Sequence, residues 1–172
     1  MDLIATTERL RIVKFTTEDA PFILELVNTP AWLQYIGDRE IHTLEDAAAY
    51  ILNGPIKSYR KLGFGAYCLE EIATGKKIGS CGLYKREGLT HPDLGFALLP
   101  EFEAKGYAFE ASRKLLQIAA GDFGIETLTA ITSKGNERSV QLLKKLGFEW
   151  TRFIKLPNDQ EELNLFLLTL QS

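Results

Sequence analysis

Between Leu94 and Ala111 the chain reads L-G-F-A-L-L-P-E-F-E-A-K-G-Y-A-F-E-A, a strand, a turn and the opening of a helix. Ala104, Lys105, Gly106 and Ala108 stand where that helix begins. A helix start exposes main-chain N–H groups without partners and the positive end of the helix dipole. Small side chains let a diphosphate come close to those groups. The stretch therefore predicts a seat for a phosphate-bearing cofactor.

The elements around it read as alternating strands and helices. Arg9 to Phe15 alternates apolar and basic residues, a strand pattern. Thr17 is expected to cap a helix with Pro21 in its first turn, Pro30 to start a short second helix ended by Gly37, and Thr43 to cap a third. Gly54-Pro55 should break that third helix, which resumes through Lys61. Phe64 to Glu71 and Lys77 to Lys85 predict a hairpin, and Asp93 to Leu99 a buried strand. A helix is expected from Glu103 to Ala120, a strand from Thr127 to Thr132, and a helix from Asn136 to Leu146 closed by Gly147. Strands Phe148 to Leu156 and Leu163 to Leu170 end the pattern, giving one α/β domain over residues 1–172.

Composition excludes several classes. The net charge of −3 argues against nucleic acid as the main partner, because phosphate-backbone binding wants a basic surface. No apolar run approaches the ~20 residues that span a bilayer, and the N-terminal segment lacks the secretory pattern, so a cytoplasmic protein without membrane contact is expected. Two histidines far apart and no C-x-x-C predict no metal site. If Thr74-Gly75 is a two-residue loop, facing positions sum to about 149, which sets Cys68 opposite Cys81, expected as free thiols in a cytosolic protein with a structural disulfide as the alternative.

Three signals then come in order: I-G-S-C-G-L-Y from Ile78, the Asp93 to Ala111 stretch, and G-N-E-R-S-V-Q-L-L-K-K-L-G-F from Gly135. Together they resemble the GNAT family of acetyl-CoA-dependent N-acetyltransferases, most closely the RimJ/RimL-type ribosomal-protein N-terminal acetyltransferases. That branch also opens with a segment like T-E-R-L-R-I and an early E-D-A, present here at Thr7 to Ile12 and Glu18 to Ala20. The resemblance implies a mixed, twisted sheet of six to seven strands flanked by helices, splayed between strands 4 and 5, with a bulge in the fourth strand. It implies acetyl-CoA as cofactor, with the diphosphate at Glu103, Ala104, Lys105, Gly106, Tyr107 and Ala108. The pantetheine arm would bond to Phe96, Ala97, Leu98 and Leu99, and Asn136 and Ser139 would meet the cofactor. Glu103 departs from the family's usual Gln or Arg, and its carboxylate is expected to point away from the diphosphate.

The resemblance also implies transfer to a primary amine. Many members carry a tyrosine seven residues after the asparagine as general acid, where this chain has Leu143. In the RimL-like branch a serine at the position of Ser139 is implicated instead; alternatively the thiolate leaves as an anion. Only a neutral amine attacks. Deprotonating a lysine amine at pH 7 takes roughly 4–5 kcal/mol, an α-amine roughly 1. Asp93, at the entry of its strand, is the first candidate for the base, acting through water, with Glu101 and the acidic group Asp159 to Glu162 behind it.

Plainer readings stand beside these. Asp93 is also a turn residue after Pro92, Ser139 a helix-surface serine, and Asn136 a helix cap, a role compatible with cofactor contact. Trp32, Tyr35 and Tyr84 either frame an acceptor pocket or pack in the core. Trp150 and Phe153 read as core or as a dimer contact, which leaves monomer and homodimer both open. The resemblance implies a protein N-terminus as the acceptor; a small amine or aminoglycoside-like substrate, or a catalytically weak acyl-CoA-binding module, are the alternatives.

Overall fold

The computed structural model describes residues 2–171. Eight strands form one sheet in the order β1-β2-β3-β4-β5-β6-β8-β7. They are β1 Leu3–Thr6, β2 Leu10–Lys14, β3 Ala66–Glu71, β4 Lys77–Tyr84, β5 Asp93–Leu98, β6 Thr127–Ser133, β7 Glu149–Ile154 and β8 Leu163–Thr169. The expected six to seven strands fall short by the edge strand β1, too short to show a sequence period. Every pairing is antiparallel except that of β5 with β6.

Helices cover both faces. Leu10 and Ile12 of β2 pack with Ala111, Leu115 and Ala119 of α5 (Tyr107–Gly121), and with Leu143 of α6 (Glu137–Leu146). Val13 and Cys68 point the other way, into a second core with α1 (Ala20–Leu26), α2 (Pro30–Tyr35) and α3 (Leu44–Ile51). The period-2 alternation of the strands thus feeds two cores.

Several local expectations are corrected. Thr16, not Thr17, makes the first cap, and a 3-10 turn Thr17–Asp19 precedes α1. Gly54-Pro55 widens the helix instead of breaking it. A π-helical segment, Leu52–Ile56, absorbs the proline, and the chain continues into α4 (Lys57–Leu62). Cys68 does not face Cys81. The register sets Cys68 against Ser80 and Tyr67 against Cys81, with a shift between Leu69 and Glu70 near the turn. One residue of register sends the two buried, free thiols to opposite faces. Trp150 and Phe153 stack edge to face, 48% and 47% exposed, on edge strand β7 and outside both cores.

Candidate functional site

β5 and β6 run parallel but pair only where Asp93 meets Thr129. Beyond that point they diverge, opening a cleft of about 910 Å³. The family-derived bulge is not the cause. β4 and β5 pair without a shift from Gly79↔Leu98 to Tyr84↔Asp93. Leu99 donates its N–H to Ile78 O on the β4 side, and Pro92 O accepts from Thr129 N on the β6 side. Antiparallel alternation between these two bonds turns the main-chain groups of Phe96 and Leu98 toward the gap. Those of Ala97 face β4, and Leu99 gives its N–H to β4 while its carbonyl accepts from Phe102 N, so only two of the four expected residues offer backbone groups there.

Below the gap lies the start of α5. The helix begins at Tyr107, four residues later than the sequence suggests. Ala104 (φ 59°) and Gly106 (φ 85°) both adopt left-handed backbone, which breaks the helical path. Among the described residues no side chain caps α5. Its first intrahelical donor is Glu110, bonded to Gly106 O, so the N–H groups of Tyr107, Ala108 and Phe109 lack helical partners. An uncapped 15-residue helix aimed at a cleft fits a diphosphate. The start of α6 is different. Asn136 caps it, its Oδ1 accepting from the Ser139 N–H at 3.3 Å. That bond leaves the Asn136 Nδ2 group for another partner.

At the other end the cleft meets Trp32, Tyr35, Tyr84, Arg86 and Asp93. Asp93 is only 1% exposed. Its Oδ2 accepts from Arg86 Nε at 2.9 Å, while Oδ1 has no hydrogen-bond partner among the described residues. Burial pushes the Asp93 carboxyl up, and the Arg86 guanidinium opposes that rise. Arg86 also lies 4.7 Å over the Tyr84 ring, whose phenol burial drives upward. Tyr84 crosses β5 at Gly95, where a Cβ would sit 2.7 Å from Tyr84 Cε2. The Trp32 indole Nε1 is a second buried polar atom without a partner among the described residues.

Asp93, Phe96, Ala97, Leu98, Glu103, Ala104, Gly106, Tyr107, Ala108, Asn136, Ser139, Trp32, Tyr35 and Tyr84 all line this one cleft; Leu99 and Lys105 do not. Glu101 lies on a separate shallow depression, whereas Asp159 and Glu161 reach the cleft. Glu162 pairs with Lys134. Sequence reasoning passed over Arg86 and Arg138. Arg86 follows from the strand register: pairing Tyr84 with Asp93 places it just past the strand end, beside that carboxylate.

A mixed sheet opened between two parallel central strands, with an uncapped helix start beneath the opening, defines a coenzyme-A-dependent acyltransferase of the GNAT type. Residues 9–149 match the acetyltransferase (GNAT) domain, and the chain belongs to that family as an N-acetyltransferase. The GNAT fold binds acetyl-CoA. Two Bacillus subtilis (strain 168) relatives are the uncharacterized N-acetyltransferases YnaD and YoaA. YnaD is 27% identical over 150 residues, 87% of this chain and 85% of the relative. YoaA is 25% identical over 147 residues, 85% and 82%. The fold is similar to that of RimL, a ribosomal alpha-N-protein acetyltransferase solved in complex with coenzyme A. The TM-score is 0.82, with 16% identity over 98% of both chains. Among the described residues no helix is long and apolar enough to cross a membrane.

Proposed function

We propose that this protein moves the acetyl group of acetyl-CoA to the α-amine of a protein N-terminus, as a RimJ/RimL-like enzyme. The observation that carries the reading is the uncapped start of α5 beneath the parting of β5 and β6. The N–H groups of Tyr107, Ala108 and Phe109 bind the diphosphate, and the turn Glu103 to Gly106 shapes its approach. The gap-facing main-chain groups of Phe96 and Leu98 hold the pantetheine arm and donate to the thioester oxygen. Asn136 Nδ2 orients the arm from α6. The cofactor supplies the activated acetyl group.

Asp93 Oδ1 receives the amine proton through water, and Ser139 donates to the departing sulfur. Burial raises the Asp93 carboxyl and Arg86 opposes that rise, which leaves a carboxylate as the base. It suits an α-amine, which needs roughly 1 kcal/mol to lose its proton at pH 7, better than a lysine, which needs roughly 4–5. That difference favours an α-amine over a lysine, and the fold shared with RimL supports the same acceptor.

A second reading rests on Leu143. That residue is buried in the core and brings no acid to the position where many relatives have tyrosine, as expected of a weak acyl-CoA-binding module. Coenzyme A thiol release with free N-terminal peptides, N-terminally blocked lysine peptides and small amines decides. Faster release with free N-termini is expected. Cofactor binding with no amine accelerating release selects the module; a preference for lysine or small amines overturns the acceptor.

A further inference from the structure

An ion pair crosses the mouth of the cleft. Arg138 Nη1, in the first turn of α6, donates to Glu103 Oε2, in the turn before α5. Both residues line the cleft. Local electrostatics does not explain either position. A helix start favours anions and disfavours cations, yet Arg138 is the second residue of α6. Glu103 is a carboxylate beside the one helix start that fits a diphosphate. With the Arg138 side chain 65% exposed and that of Glu103 25%, solvent screens the pair and it adds little to fold stability.

We propose that the Glu103 carboxylate is an internal stand-in for the diphosphate of coenzyme A. It holds Arg138 over the approach to α5 in the free protein and surrenders the guanidinium when the cofactor arrives. The planar fork of arginine matches phosphate oxygens in pairs, and charge-assisted bonds to phosphate exceed those of a screened surface carboxylate pair. Arg138 thus supplies a cation that the first position of the motif, Glu103, lacks. Glu103 competes for it, lowering affinity and keeping Arg138 pre-positioned. The inference rests on the cofactor reading of the cleft given above.

Calorimetric titration of the full chain with coenzyme A and with dephospho-coenzyme A tests it. Arg138→Gln should weaken binding of both ligands about tenfold, and Arg138→Lys by less, because the charge stays and the fork is lost. Glu103→Gln should tighten both about threefold, since a competitor is removed. Unchanged affinity in Arg138→Gln, or weaker or unchanged affinity in Glu103→Gln, overturns the exchange while wild-type binding preserves the cofactor reading. An Arg138→Gln effect confined to coenzyme A assigns the arginine to the 3′-phosphate and also overturns it. No heat from the wild-type protein with either ligand removes the cofactor reading, and the exchange with it. Thermal unfolding of the three unliganded variants checks that the substitutions leave the fold intact.

Discussion

Arg9 and Glu110, a hundred residues apart in sequence, are joined twice. The Arg9 main-chain N–H donates to Glu110 Oε2 at 2.9 Å, and Arg9 Nε to Glu110 Oε1 at 2.7 Å. Arg9 Nη1 also donates to the Lys105 carbonyl at 3.1 Å, and its guanidinium stacks 4.0 Å over the Tyr107 ring. Tyr107 donates in turn to Glu71. The β1–β2 turn thereby grips the turn before α5 from outside the cleft. Arg9→Ala is expected to raise the KM for acetyl-CoA and the calorimetric Kd for coenzyme A with little change in kcat. After allowance for solvent screening, about 1 kcal/mol of lost positioning is roughly fivefold in affinity. A fall in kcat with an unchanged Kd would contradict the positioning role.

Glu110 makes the same junction sensitive to acid. Burial raises its carboxyl pKa, but the Thr7 hydroxyl and the Arg9 bonds outweigh burial and hold it below the ordinary value. A depressed folded pKa gives stability that is present above the unfolded value of about 4.3 and lost as pH falls through the folded one. Wild type should therefore exceed Glu110→Gln in urea stability at pH 7 by about 1 kcal/mol, discounted for partial exposure. The difference should shrink below about pH 4. A difference that grows with acid would reverse the sign.

On the proposed roles, Asp93→Asn should reduce kcat/KM for the amine about a hundredfold while coenzyme A affinity holds, because the carboxylate is assigned to the amine and not to the cofactor. Burial raises the Asp93 pKa, so the acid limb of the wild-type profile should lie above the ordinary aspartate value of about 3.9. A wild-type profile in the variant would move the base elsewhere.

Gly95→Ala places a methyl 2.7 Å from the Tyr84 ring and should destabilise the protein by about 1–3 kcal/mol. Adding Tyr84→Leu should restore part of that loss. Additive losses, measured by chemical unfolding, would show that the ring is not what Gly95 accommodates.

Neither thiol should react in the folded protein. Burial pushes Cys81 up to about 12 and Cys68 higher still, which leaves almost no thiolate at neutral pH. Ellman's reagent should be inert on the native chain and report two thiols in denaturant. Rapid native labelling of either thiol would contradict the burial.

Where a feature depended on nearby residues, it was legible in the sequence. Thr43 caps α3 and Gly147 closes α6 because caps are local chemistry written in a few adjacent side chains. Strand periods survived because each face meets a core. Features that depend on counting across a turn did not. The bulge at Leu69/Glu70 shifted the β3–β4 register and parted the cysteines, and no composition signal marks a single extra residue. The first cap is an exception among the local features: of two adjacent threonines only Thr16 has an acidic residue three positions on, Asp19, and that capping box selects it over Thr17.

The same division separates the site's parts. By itself the sequence determined that a small-residue turn leads into α5, that an asparagine begins α6, and that the motifs follow one another in the GNAT order. Those are properties of short segments, where backbone freedom and capping act within a few residues. Only the tertiary structure decided that Arg86 closes on Asp93, that Arg138 reaches Glu103 and that Arg9 braces Lys105. Those pairs depend on where long, flexible cationic side chains end once the sheet has twisted and parted. Charges at such separations meet through packing, which spacing along the chain does not encode.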